Sequence, residues 1–264
     1  MSQQPPKIDE VRRKLQPWLT QHTRPAWKPL VQAREISLPG SKFCGTPMLA
    51  RGERWPTCGV CKSNMPLFLQ LNSHNLPREF GQPFSGLLQF FYCVSGECEA
   101  EAWEPFERNK LLRVVQPTED ADPLEIPDAF DDDYPCRSIT GWEKMSDLPS
   151  TAEHEELGLK YDFDFKQHKM RLECQPLALV IDQLSMDIPE AIANVHHGDK
   201  LGGWPKWVQG VEYPECPKCS KRMRYLFQID SEDNVPYMWG DVGIGHITQC
   251  PDHPDMLGFG WACS

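Results

Sequence analysis

From Ile8 to Leu19 the apolar residues Ile8, Val11, Leu15, Trp18 and Leu19 recur at steps of three and four, the spacing that lines one face of a helix. Asp9 stands near the start, where free backbone N–H groups favour a carboxylate. Pro17 falls inside the pattern and removes a donor, so residues 8–23 predict a bent helix or two shorter pieces. The period then changes. Residues 24–38 mix apolar positions with prolines and a tryptophan, which predicts an extended arm or an edge strand. Residues 65–71 (MPLFLQL), 86–93 (GLLQFFYC), 110–116 (KLLRVVQ), 223–229 and 242–250 have the β-branched and aromatic content of strands, and 170–182 mixes strand with short-helix character. Residues 118–165 break the pattern with an Asp131-Asp132-Asp133 run and several prolines, with weak helical character at 151–159.

The patterning repeats. Residues 199–228 align without a gap on residues 41–70, a shift of 158, and nine of thirty positions are identical. About two identities are expected from average composition. They include Gly45/Gly203, Pro47/Pro205, Gly52/Gly210, Pro56/Pro214, Cys58/Cys216 and Cys61/Cys219, residue types chosen for backbone geometry or chemistry. This predicts an α+β protein of two pseudo-symmetric, β-rich lobes from an internal duplication, each with a zinc-knuckle-like site. The expected organisation is a helix and arm at 1–40, a first lobe at 41–117, an acidic connection at 118–168 and a second lobe at 169–264, all in one compact unit.

Charge adds one fact to this picture. The net charge is -11, yet residues 119–164 alone hold fifteen acidic residues against Arg137, Lys144 and Lys160, so the remainder is close to neutral. Nucleic-acid binding, which needs a basic surface to displace counterions, is not expected. No apolar run is long enough to cross a bilayer, and residues 1–16 lack the apolar core of a signal peptide, so a cytoplasmic protein is expected.

Eleven cysteines in a reducing compartment point to metal where they are spaced as Cys-x2-Cys. Zn2+ favours four soft donors in a tetrahedron, and two such corners joined by a hairpin make a closed structural site. The first lobe offers Cys58, Cys61, Cys93 and Cys98. The second offers Cys216, Cys219 and Cys250, with either His253 or Cys263 as fourth donor; His253 is favoured because Cys-x2-His repeats the local geometry. Cys44, Cys136 and Cys174 have no partner at metal spacing and read as buried small side chains. His196-His197 reads as a polar loop, and Trp239-Gly240-Asp241 as a turn. Phe130, Tyr134 and Trp142, interleaved with Asp131, Asp132 and Asp133, form a candidate docking patch for a protein, since aromatic anchors in a charged rim carry much interface affinity.

Several of these segments resemble the YwqG-like family of bacterial proteins. They are SKFCGTP at 41–47, Trp55-Pro56 before Cys58, KLGGWP at 200–205, Gly240-Asp241 with Gly243, and Cys250-Pro251 before His253-Pro254. The chain departs at Cys44, where glycine is expected, which predicts a reshaped turn. The resemblance implies no catalytic residues. Some members sit beside toxin genes and resemble immunity proteins. A more distant similarity, to the programmed-cell-death-protein-two group, implies a dedicated chaperone of a ribosomal protein. The leading expectation is a monomeric, non-enzymatic immunity protein that occludes a cognate toxin. The alternatives are a chaperone of a basic ribosomal protein, or an enzyme using Asp241 or His197 in a cleft between lobes.

Overall fold

The computed structural model describes residues 8–34, 39–118, 127, 130, 132–193 and 195–264. The amphipathic start forms two helices, α1 (Ile8–Lys14) and α2 (Gln16–His22). Pro17 lies in the first turn of α2, where its missing N–H would have had no partner anyway. The strands that follow are β1 (Arg24–Gln32), β2 (Lys42–Phe43), β3 (Leu67–Asn72), β4 (Leu87–Tyr92), β5 (Lys110–Val115), β6 (Arg137–Asp147), β7 (Leu159–Asp164), β8 (Lys169–Cys174) and β9 (Leu179–Leu184). A short helix, α3 (Ile188–Ile192), leads to β10 (Lys200–Gly202), β11 (Arg224–Asp230), β12 (Ile244–Gln249) and β13 (Leu257–Ala262).

Ten of these strands make one sheet in the order β13-β12-β11-β10-β1-β6-β2-β3-β4-β5. The sheet curls until its outer strands nearly meet. Lys110 on β5 donates to the Ala102, Glu104 and Phe259 carbonyls (2.8, 2.7 and 3.1 Å), and Trp261 on β13 donates to the Tyr92 hydroxyl (3.0 Å). The concave interior is a single core in which Phe43, Phe68 and Phe90 share contacts with Phe227, Trp239 and Phe259. The two repeats are therefore halves of one sheet around a common core.

β1 is not at the edge. It pairs with β6 from Arg24↔Asp147 to Gln32↔Ser138 and with β10 at Ala26 and Trp27. Its two prolines suggested an edge because each lacks a ladder donor. They are tolerated at the centre of the sheet because β10 covers only two residues of that flank. Likewise β6, an eleven-residue strand, lies within the stretch read as an irregular acidic connection, its Glu143 and Lys144 facing solvent while Ser138, Ile139 and Asp147 are buried. The weak helical signal at 151–159 reduces to a 3-10 turn at Thr151–Glu153.

The two halves share hydrogen bonds as well as residues. Lys42↔Gln70 and Phe43↔Leu69 in one become Lys200↔Gln228 and Leu201↔Phe227 in the other. The Gln70 side chain accepts from the Met48 amide and donates to the Gly40 carbonyl, and Gln228 does the same with Lys206 and Gly198, each 158 positions on. Cys44 and Gly202 both take positive φ, 54° and 67°, so the turn keeps its shape despite the cysteine. The left-handed strain is small, about 1–2 kcal/mol, and Cys44 is fully buried in the common core.

A second core lies outside the large sheet. Val11 of α1, Leu15 at the junction, and Trp18 and Leu19 of α2 pack on Leu159, Leu172, Leu184 and Ile188, covering one face of the three-stranded sheet β7-β8-β9. His154 is buried beside it, its Nδ1 2.6 Å from the Tyr161 hydroxyl, and burial pushes its pKa down to about 4. The unfolded chain takes up this proton near pH 6.5, before the native state does, so stability is complete above that pH and falls as the pH drops towards 4. At about 1.4 kcal/mol per pH unit, the loss between pH 6.5 and 5 is about 2 kcal/mol. His154→Gln is expected to remove most of this slope in urea unfolding curves at pH 7 and 5; an unchanged slope would assign it to other groups.

Candidate metal centres

Each centre starts from a tight turn that precedes a strand. In the first, the Cys58 amide donates to the Ser63 carbonyl (2.8 Å) and the Lys62 amide to the Cys58 carbonyl (3.1 Å), with Lys62 at φ 68°. The Val60 amide then faces the Cys58 Sγ at 3.3 Å. In the second, the Cys216 amide donates to Lys221 (2.9 Å) and the Ser220 amide to Cys216 (2.8 Å), with Ser220 at φ 56°. The returning strand of each hairpin supplies the rest of the set: Cys93 follows β4, and Cys250 follows β12.

Cys58, Cys61, Cys93 and Cys98 bring their sulfurs within 4.8 Å of one another, as do the donor atoms of Cys216, Cys219, Cys250 and His253. The Sγ–Sγ distances are 3.7 Å for Cys58–Cys98, 3.5 Å for Cys61–Cys93 and 3.6 Å for Cys219–Cys250. His253 places Nδ1 3.8 Å from the Cys216 Sγ and 3.5 Å from the Cys250 Sγ. A tetrahedron with metal–sulfur bonds of about 2.3 Å has edges of about 3.8 Å, whereas a disulfide brings two sulfurs to about 2.05 Å. The spacing therefore suits donors around an ion. Either set would fill all four positions with protein atoms, leaving none for a reactive water. Hydrogen bonding with Ser63 holds the Cys61 thiol down at about 6, towards the thiolate a metal needs, while burial pushes Cys93 up.

Cys263 is elsewhere, its Sγ packed beside Gly240 and its carbonyl accepting from Gln209 (2.6 Å). Of the other cysteines, Cys44 and Cys174 are buried as expected, and Cys136 is only half-buried.

Residues 41–251 match the family described as Domain of unknown function (DUF1963). The chain belongs to the DUF1963 family. The DUF1963 match spans both centres apart from His253, and it agrees with the resemblance to YwqG-like proteins. A local similarity adds to it: 34 residues are 50% identical to the Uncharacterized protein YpfL of Salmonella typhimurium, covering 13% of this chain and 8% of that protein. Among the described residues no helix is long and apolar enough to cross a membrane.

The expected docking patch is only partly on the surface of this DUF1963 chain. Asp132 and Asp133 are exposed, and Asp131 lies outside the described residues. Phe130 is buried, packed between Trp55 and the edge-on Tyr134, and so offers no ring to a partner. Tyr134 is half-buried against Phe68, and Trp142 donates its indole N–H to the Asn75 carbonyl (2.7 Å). Acid-rich composition around these rings marked them as exposed, but aromatic rings in such a stretch still find the core. Exposed rings occur instead on the small sheet, where Phe163 and Phe165 stack with centroids 5.9 Å apart among Asp162, Asp164 and Asp182 and the basic Lys166, Lys169 and Arg171. His196 is tied to β6 through the Ser146 carbonyl and the Asp147 carboxylate, while His197 and Asp241 are both exposed.

Sequence reasoning missed the fully buried ion pair of Lys200 with Asp147 (2.8 Å). A signal existed, since lysine is identical at 42 and 200 in the repeat and both side chains are buried. Sequence reasoning also missed buried Glu153, which accepts from Trp207 and Tyr213 (both 2.7 Å), and for this no local signal exists.

Proposed function

We propose that this chain is a non-enzymatic, protein-binding member of its family, built by internal duplication, with a structural Zn2+ in each half and a cognate toxin as partner. Support for zinc is the donor chemistry: one set of four sulfurs and one of three sulfurs and an imidazole nitrogen, both at tetrahedral spacing. Support for duplication is the recurrence of the Gln70 and Gln228 side-chain hydrogen bonds at a constant shift, because unrelated hairpins have no reason to share them.

The observation that carries the binding role is the exposed Phe163–Phe165 stack, bordered by Asp162, Asp164 and Asp182 and by Lys166, Lys169 and Arg171. An exposed, paired aromatic surface within a rim of both charges suits a protein partner, with the rings as anchors and the charges fixing orientation. The resemblance to immunity proteins supplies the kind of partner. Co-expression with the toxin encoded beside it is expected to restore growth and give a co-purifying complex, and Phe165→Asp is expected to weaken that complex at least tenfold. Neither protection nor a complex would reject the reading. The same ring pair could also anchor a basic ribosomal protein; capture of that protein during its synthesis, with no toxin complex, would favour the chaperone role.

A further inference from the structure

A cavity of about 540 Å³ opens near the seam of the curled sheet, lined among others by Trp103, Glu104, Trp207, Glu212, His246 and Trp261. This volume is in the range of small-molecule sites, and the mouth of a barrel-like sheet is a common place for one. The indoles have used their polar edges elsewhere. Trp207 donates its N–H to Glu153 (2.7 Å) and Trp261 to Tyr92 (3.0 Å), which leaves carbon surface for the cavity. Trp103 is 52% exposed at the same site, a large apolar ring outside the core.

His246 supplies the unpaired polar atom. It is 5% exposed, lies 4.6 Å from the Trp207 ring between centroids, and its Nε2 has no hydrogen-bond partner. Burial and the charge of Lys200 push its pKa down to about 3, while a hydrogen bond to the Lys206 backbone works in the opposite direction. His246 thus stays a neutral ring at the cavity wall.

The charged groups at the cavity are carboxylates. Glu212 is held above its usual range by partial desolvation and by Glu104, and among the described lining residues there is no lysine or arginine. Aromatic faces and carboxylates attract a cation. We propose that this cavity binds an organic ammonium ion on an apolar body, with its charge balanced by Glu104 and Glu212 and its body against the indole faces.

Isothermal titration of the metal-loaded protein at pH 7.5 with four probes of similar size tests this. 2-Phenylethylammonium is expected to bind at least tenfold tighter than 2-phenylethanol and 3-phenylpropionate. Its trimethylammonium analogue, which keeps the charge on the same body, is expected to bind within threefold of the primary amine, as a site that reads charge rather than an N–H requires. Trp103→Ala and Glu212→Gln, both at exposed positions, are expected to weaken binding at least fivefold with an unchanged melting temperature. Equal affinity for the alcohol and the ammonium, preference for the carboxylate, or no binding of any probe would overturn the proposal. A trimethylated probe that bound no better than the alcohol would overturn the assignment of the site to the ligand's charge.

Discussion

Removing metal from the purified chain with a strong chelator is expected to unfold it, with loss of near-ultraviolet dichroism and release of two ions per chain. In each centre the ion would join a turn before one strand to residues after the next, so it closes the hairpins β3–β4 and β11–β12 at the same end. Binding of a structural Zn2+ is worth about 10–16 kcal/mol in small domains, against a typical total stability of about 5–15 kcal/mol. Without the ion, four thiols in one set and three thiols with an imidazole in the other remain crowded within 4.8 Å with little to hold them there. Cys216→Ser is expected to halve the bound metal, and Cys263→Ser to leave it unchanged. A fully stripped chain that kept its native spectrum and melting temperature would show that the clusters are not metal centres.

Asp147→Leu is expected to lower stability by about 3–5 kcal/mol, the usual cost of leaving a buried charge unpaired. The Asp147 carboxylate accepts from the Lys200 ammonium, the Trp204 amide and the His196 amide, each at 2.8 Å, and neither it nor Lys200 is exposed. Burial presses Lys200 towards its neutral form, and Asp147 opposes that. The pair also joins β6 to β10 across β1, so losing it loosens the centre of the sheet. At about 2–4 °C per kcal/mol for a chain of this size, the melting temperature should fall by about 10 °C. Asp147→Leu combined with Lys200→Met is expected to recover most of the loss, because the uncompensated charge is then gone. A double variant as unstable as the single one would place the cost in the lost Trp204 and His196 hydrogen bonds instead. Gly203→Ala should behave like the single variant, since a Cβ there would strike the Asp147 carboxylate and the glycine holds φ 75°.

Both donor clusters were readable because Cys-x2-Cys corners are short local motifs, and the repeat placed them twice. The choice of His253 followed from spacing alone: three residues after Cys250 it stays on the same turn, whereas Cys263 lies at the far end of β13. β3, β4, β11 and β12 were legible for a similar reason, being apolar runs between turn residues. The central pair β1 and β6 was not. One carries two prolines and the other lies in a charge-rich stretch with Gly141 and Trp142, and each becomes a strand only because the other is present. The cavity was hidden for a different reason. Trp103, Trp207, Glu212, His246 and Trp261 are ordinary residues in their own segments and gain a common purpose only when the sheet curls.

The pairing of β1 with β6 also bears on how the chain is made. The partners are separated by more than a hundred residues along the sequence, from Arg24↔Asp147 to Gln32↔Ser138. A ribosome adding roughly 5–20 residues per second therefore releases β1 several seconds before its ladder can form, and β10 arrives later still. During that interval the apolar residues of β1, Trp27 among them, have no sheet to join, and the nascent first half carries them uncovered until β6 and then β10 follow.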